Sequence, residues 1–284
     1  MAGVQRGGWR VSFESEEQQA VLRRFVAACE QDERVVAAFL GGSLAAGSSD
    51  EWSDLDIYLI TTDEAYEDFL HSRKAFIRQL GEPVFLEDFD LPYMLFFVLA
   101  DGTEGELGSG CESRFLDMHK GPHKVLLDKK GILAGVEFSG YRPAQHEQIE
   151  TLRRQVYAFW HDLSHFLTAM GRGDLWWAQG QLEALRRVCM SLARLQQDLA
   201  ATDAVEDPYF KLEKAIPASA KSLAPLQPTI CPMEPGAMLR SALAIIAFYQ
   251  ELAHLLVERH GISYPADLER LMLTRLARLR QAIG

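Results

Sequence analysis

Paired cysteines are the plainest thing missing from this chain: Cys29, Cys111, Cys189 and Cys231 stand far apart, with no CxxC spacing among them. That excludes a disulfide framework and a zinc knuckle, and leaves four structural thiols. A leading apolar segment is missing too. The first residues, MAGVQRGGWRVSFESEEQQ, hold no hydrophobic stretch, and the runs FLGG, YMLFFVLA and MLRSALAIIAF are too short or too interrupted to span a bilayer. The expectation is a soluble, cytoplasmic protein with no membrane partner. Basic stripes are absent as well. The net charge of −11 is concentrated in the first half, where residues 1–140 carry 25 acids against 13 bases, while residues 141–284 carry 15 against 16. An acidic surface repels a phosphodiester backbone, so no nucleic-acid partner is expected. The same acidity would attract a polycationic small molecule, although solubility alone accounts for it.

What is present is an ordinary globular composition, 48% hydrophobic and 24% charged over 284 residues, long enough for two cores. Ser15 followed by Gln18 reads as a capping box opening a helix that ends near Asp32, with Val21, Leu22, Phe25, Val26 and Cys29 at helical spacing. Val35 to Leu40 and residues 55–60 read as buried strands. Asp63 is placed to cap a helix through Leu80, with Gly81 at its C-terminal turn and Pro83 blocking continuation. Asp101-Gly102 then predicts a two-residue hairpin turn between strands at 93–100 and 103–109, both turn residues at positive φ. Residues 124–127 read as one more strand.

From about residue 145 the period changes to 3.6. Helices are expected over residues 145–170, 174–200, 236–260 and 265–282, with a proline-rich connection at 207–235. The fold class that follows is α+β: a mixed-sheet domain at 1–140, then an α-helical bundle domain at 141–284.

The chemistry lies in FLGGSLAAGSSDEWSDLDIYLI. Gly42-Ser43 closes one strand and, after ten intervening residues, Asp54-Leu55-Asp56 opens the next. Side chains alternate along a strand, so Asp54 and Asp56 share one face while Leu55 and Ile57 enter the core. Two adjacent carboxylates repel unless divalent cations neutralise them. Carboxylate oxygens suit Mg²⁺, which shares its shell with substrate phosphates. Gly41 and Gly42 let a backbone approach those phosphates, and the Ser43 hydroxyl can donate to them. Two such ions would activate an attacking hydroxyl and stabilise leaving pyrophosphate. A third carboxylate on a neighbouring strand completes the set. Glu104 and Glu106 both qualify by face, and Glu106 lies deeper from the turn.

The pattern resembles the nucleotidyltransferase superfamily of the DNA polymerase β type, matched here in Gly42, Ser43, Asp54 and Asp56. More narrowly it is similar to the bacterial aminoglycoside and lincosamide nucleotidyltransferases, which join such a domain to a helical bundle. The resemblance implies an NTP, ATP by default, as donor, two Mg²⁺ ions, and a small hydroxylated molecule as acceptor. It also implies that Glu106, five residues after the Asp-Gly turn, is the third acid, as metal ligand, general base or both. Because related helical halves aim basic residues at the nucleotide, Lys211 and Lys214 in DPYFKLEKAIP become nucleotide-binding candidates; their plain reading is a solvated helix face. Transfer to a protein hydroxyl, as in antitoxin-type members, and a noncatalytic nucleotide-binding module remain alternatives.

Other features have blander expectations. His161 and His165, four apart on a helix, lack an evident third metal ligand. The aromatics Tyr157, Phe159, Trp160, Trp176 and Trp177 are expected mostly in the core. Lys129-Lys130 reads as a surface turn.

Overall fold

The computed structural model describes residues 15–139, 142–201, 203–216 and 224–283. The chain divides into two compact units, Met1–Tyr141 and Arg142–Gly284.

In the first unit, α1 (Glu16–Gln31), β1 (Val35–Leu40), α2 (Gly42–Ala46), β2 (Leu55–Thr61) and α3 (Tyr66–Ile77) are followed by β3 (Pro83–Glu87), β4 (Met94–Leu99) and β5 (Glu104–Cys111). Short β6 (Lys120–Gly121) pairs with β8 (Phe138–Ser139), while β7 (Lys124–Asp128) joins the main sheet, whose order is β3-β4-β5-β2-β1-β7. Only β2 and β5 run parallel; the other neighbours in this mixed sheet are antiparallel. One face packs on α1 and α3 through Val21, Phe25, Leu40, Ile57, Phe69, Phe76, Phe97 and Leu107. The second face carries a smaller cluster of Phe39, Tyr58, Ile60, Leu133 and Phe138 at the β1–β2 end.

Local chemistry explains where the elements depart from the sequence expectation. Ser15 Oγ does accept the Gln18 N–H at 3.1 Å, but the Gln18 side chain reaches the Ser53 carbonyl instead of returning to the cap. Asp63 does not cap α3, because its carboxylate is taken by the N–H and hydroxyl of Ser113; Thr62 Oγ1 accepts from Ala65 instead. The helix stops at Ile77, tightened by Gln79 N–H to Phe76 and Leu80 N–H to Ile77 bonds that turn Leu80 into the core. Gly81 is therefore past the helix and not left-handed.

The β4–β5 hairpin also differs from the expected two-residue turn. Gly102 N–H bonds the Leu99 carbonyl and only Gly102 is left-handed, at φ 87°, so Ala100, Asp101 and Gly102 form a three-residue loop. That geometry needs one glycine, whereas the two-residue turn would have required Asp101 at positive φ as well. Lys129, expected on an idle turn, donates to the Cys29 and Asp32 carbonyls at 2.8 Å each and so covers the negative end of α1.

The second unit contains α4 (Gln145–Arg172), α5 (Leu175–Gln197), α6 (Asp203–Glu206), α7 (Leu212–Ala215), α8 (Pro235–His260) and α9 (Ala266–Ile283). Its centre is aromatic: Phe159 stacks on Tyr249 with centroids 3.7 Å apart, Trp160 meets both edge-on, and the Tyr249 hydroxyl donates to the Val156 carbonyl. Truncating one of these buried rings would cost about 3–5 kcal/mol. The run MLRSALAIIAF lies in α8, which has the length and composition of a membrane span. Its apolar positions, among them Met238, Ile245, Tyr249 and Leu256, are buried in the bundle core. Trp176 and Trp177, among the aromatics expected mostly in the core, are 82% and 38% exposed at the start of α5, since core contact in that first turn falls to Leu175 and Ala178.

Candidate active site

Asp56 and Glu106 are register partners on the parallel strands β2 and β5. Their side chains therefore leave the same face of adjacent strands, and Asp54 precedes them on that face by one strand repeat. All three are half-buried, while Glu104, nearer the hairpin loop, is exposed. Tyr58 reports the shared field. Its phenol pKa is pushed up first by burial and then by Asp56, Glu106 and Asp54.

The glycine turn is built against this face. The Gly41 N–H donates to the Asp56 carbonyl at 2.8 Å, and α2 begins at Gly42. Gly42 has φ 58°, and a Cβ there would lie 1.6 Å from Asp56 Oδ2. Only glycine permits that backbone angle and that approach together. Ser43 Oγ is buried without a hydrogen-bond partner. A buried hydroxyl left without a partner costs about 1–3 kcal/mol, which marks a place where an acceptor belongs.

Sequence reasoning missed what lies beneath the turn. A Cβ on Gly41 would come within 2.7 Å of the Tyr58 ring and 2.8 Å of His119. The His119 ring is oriented by Nε2, which lies 3.0 Å from the Pro122 carbonyl, and burial pushes its pKa down, keeping it neutral. The available signal was the doubled glycine: Gly42 faces Asp56, and Gly41 faces the rings. Lys124 was also missed. Its ammonium donates to the Leu44 carbonyl at 2.9 Å and ties α2 to the edge strand β7.

Beside Asp54, a cavity of about 380 Å³ is lined by Glu17, Glu51, Trp52, Asp101, Thr103 and Glu104, among others, and Trp52 is 86% exposed. Among the described residues, no three carboxylate, imidazole or thiol groups converge closely enough to cage a metal ion unaided. The rings of His161 and His165 stand 4.3 Å apart without a third such ligand. In the second unit Lys211 is exposed, with its ammonium 4.5 Å over the Phe210 ring. The side chain of Lys214 lies outside the described residues.

Comparison with known proteins identifies the family of the chain. The family model described as streptomycin adenylyltransferase matches residues 15–279. No curated protein sequence matches. Among solved structures, an aminoglycoside 6-adenyltransferase from Bacillus subtilis aligns over 94% of this chain and 99% of its own, at 15% identity and a TM-score of 0.40. The family match covers nearly the whole length, the helical half included. The chain is a nucleotidyltransferase and belongs to the streptomycin adenylyltransferase family.

Proposed function

We propose that the enzyme transfers AMP from ATP to a hydroxyl of an aminoglycoside-type antibiotic, the acceptor class that its family's name gives. The observation that carries the reading is the register pairing of Asp56 with Glu106, facing the Gly42-Ser43 turn and its unpartnered hydroxyl. Mg²⁺ fits the oxygen-only donor set of Asp54, Asp56 and Glu106. Because it keeps waters and takes part of its shell from phosphates, it needs no three-residue protein cage. When bound, such ions lower the pKa of the attacking hydroxyl and stabilise the leaving pyrophosphate.

The protein's own groups supply the rest. Gly42 leaves room for the triphosphate beside Asp56, and Ser43 Oγ donates to a phosphate oxygen. Glu106 takes the proton of the acceptor hydroxyl as that oxygen attacks the α-phosphorus, and the bond to pyrophosphate breaks. Incubation with ATP, Mg²⁺ and streptomycin, kanamycin or lincomycin tests the reading through pyrophosphate release. No release with any acceptor sinks it, and label appearing on protein instead of the drug replaces it with protein modification.

A further inference from the structure

Beyond Glu106 the same sheet face continues into aromatic side chains that none of the chemistry above uses. Phe96 on β4 is the register partner of Glu106 on one side and of Glu87 on the other, so a row Glu87, Phe96, Glu106, Asp56 crosses four strands. Phe85 on β3 lies opposite Val98 on this face. Phe89, in the loop between β3 and β4, sets its ring 5.5 Å from Phe96 and 6.2 Å from Phe85. Phe89 is 62% exposed and Phe85 42%.

The loop that presents Phe89 is held under strain. Phe89 and Asp90 take φ 47° and 62°, two consecutive left-handed residues without a glycine. Each costs about 1–2 kcal/mol, so the conformation persists only because its surroundings impose it. Arg73 supplies the clamp. It is 7% exposed and donates both to the Pro92 carbonyl and, at 2.8 Å, to Asp88, bracketing the loop. Glu87 accepts from the Asp88 N–H at 2.9 Å, and Asp88 accepts from the Asp90 N–H at 3.2 Å. A solvent-facing phenylalanine on a rigid, strained loop gains nothing for the core, so its geometry points to a ligand.

We propose that Phe89 and Phe96, flanked by Phe85, form the platform on which the acceptor of the adenylyl transfer lies, and that the acceptor is a saturated hydroxylated ring bound by its C–H face. This rests on the reading of Glu106 as the group facing the acceptor hydroxyl. Neighbouring strands are about 4.8 Å apart, close to the width of a six-membered ring. A ring seated over Phe96 therefore brings its edge hydroxyl to Glu106, one strand away. The π faces favour C–H contact and attract amino substituents, so a sugar or cyclitol carrying amines suits the surface. Recognition on this platform is by stacking, in contrast to charge pairing in the acidic cavity beside Asp54.

The test is calorimetric titration of streptomycin, kanamycin and lincomycin into the full chain with Mg²⁺ and a non-transferable ATP analogue, at low and high salt. For the wild type at least one acceptor binds. Phe89→Ala raises its Kd about tenfold at both salt concentrations, Phe89→Tyr restores it, and the Kd of the ATP analogue is unchanged. Phe96→Ala has the same effect, and because Phe89 is exposed its variants leave the fold intact. Unchanged acceptor Kd in the Phe89→Ala and Phe96→Ala variants overturns the proposal, as does binding of none of the three acceptors by the wild type. If an acceptor binds and responds to Phe89 but is never adenylylated, the platform stands and the transfer reading fails. If adenylylation proceeds while both alanine variants bind normally, only the platform fails.

Discussion

Asp56 and Glu106 face each other across the one parallel strand pair of the main sheet, one strand spacing apart on the same face. Glu104 lies a full strand repeat nearer the loop and is exposed. If Glu106 is the base as proposed, Glu106→Gln keeps the shape and removes that base, so turnover should fall about 10²- to 10⁴-fold. Glu104→Gln should change it less than about threefold, too little to involve general-base chemistry. Pyrophosphate release under saturating substrates separates the two, and the reverse ranking would move the third acid to Glu104.

Ser43→Ala should divide stability from activity. The hydroxyl is buried without a partner in the free enzyme, so removing it should leave the melting temperature unchanged or raise it. If Ser43 donates to a charged phosphate as proposed, the same change removes a bond worth about 1.5–3 kcal/mol and should raise KM for ATP about 10- to 100-fold. Thermal melts beside initial rates give both readings, and a destabilised variant with normal KM would contradict the assigned role.

Gly42→Ala fails for a different reason. The new Cβ would overlap Asp56 Oδ2 at 1.6 Å and would sit at φ 58°. The left-handed backbone costs about 1–2 kcal/mol, and Asp56 must rotate away. A displacement of that size at a reacting centre costs on the order of 10²-fold in rate. Gly47→Ala is the control. It has φ 71° and open space around the added methyl, so it should carry the backbone cost with little loss of turnover.

The motif and its strand register could be read from the sequence because period-two alternation fixes faces, and a hairpin loop fixes which acid lies deeper. Three things could not. The Arg73 clamp joins residues far apart in the chain, and the two left-handed residues it holds, Phe89 and Asp90, carry no glycine to betray them. Asp63 looked like a cap because its competitor, Ser113, lies 50 residues away. The exposure of Trp176 and Trp177 is not legible from hydrophobicity, which predicts most such aromatics in the core, because in the first turn of a helix only one side meets the bundle.

Acid stability should depend on the join between α1 and β1. Asp32 accepts from the Arg34 Nε and Nη2 at 3.0 and 2.8 Å and from the Arg34 N–H at 3.0 Å, while Arg34 continues to Asp68 and Ser72. The Arg34 side-chain bonds, chiefly, hold the Asp32 carboxyl below its ordinary value of 3.8. A carboxyl whose folded pKa is depressed binds its proton more readily in the unfolded chain. Its stabilisation is therefore fully present above about pH 4 and is lost as pH falls through the lower folded value. Asp32→Asn should accordingly melt below the wild type at pH 7, and the gap should close as the pH is lowered through 4 toward 2. Melting curves of the two proteins over that range decide it; a gap that stays constant would mean that Asp32 acts through hydrogen-bond geometry and not through its charge.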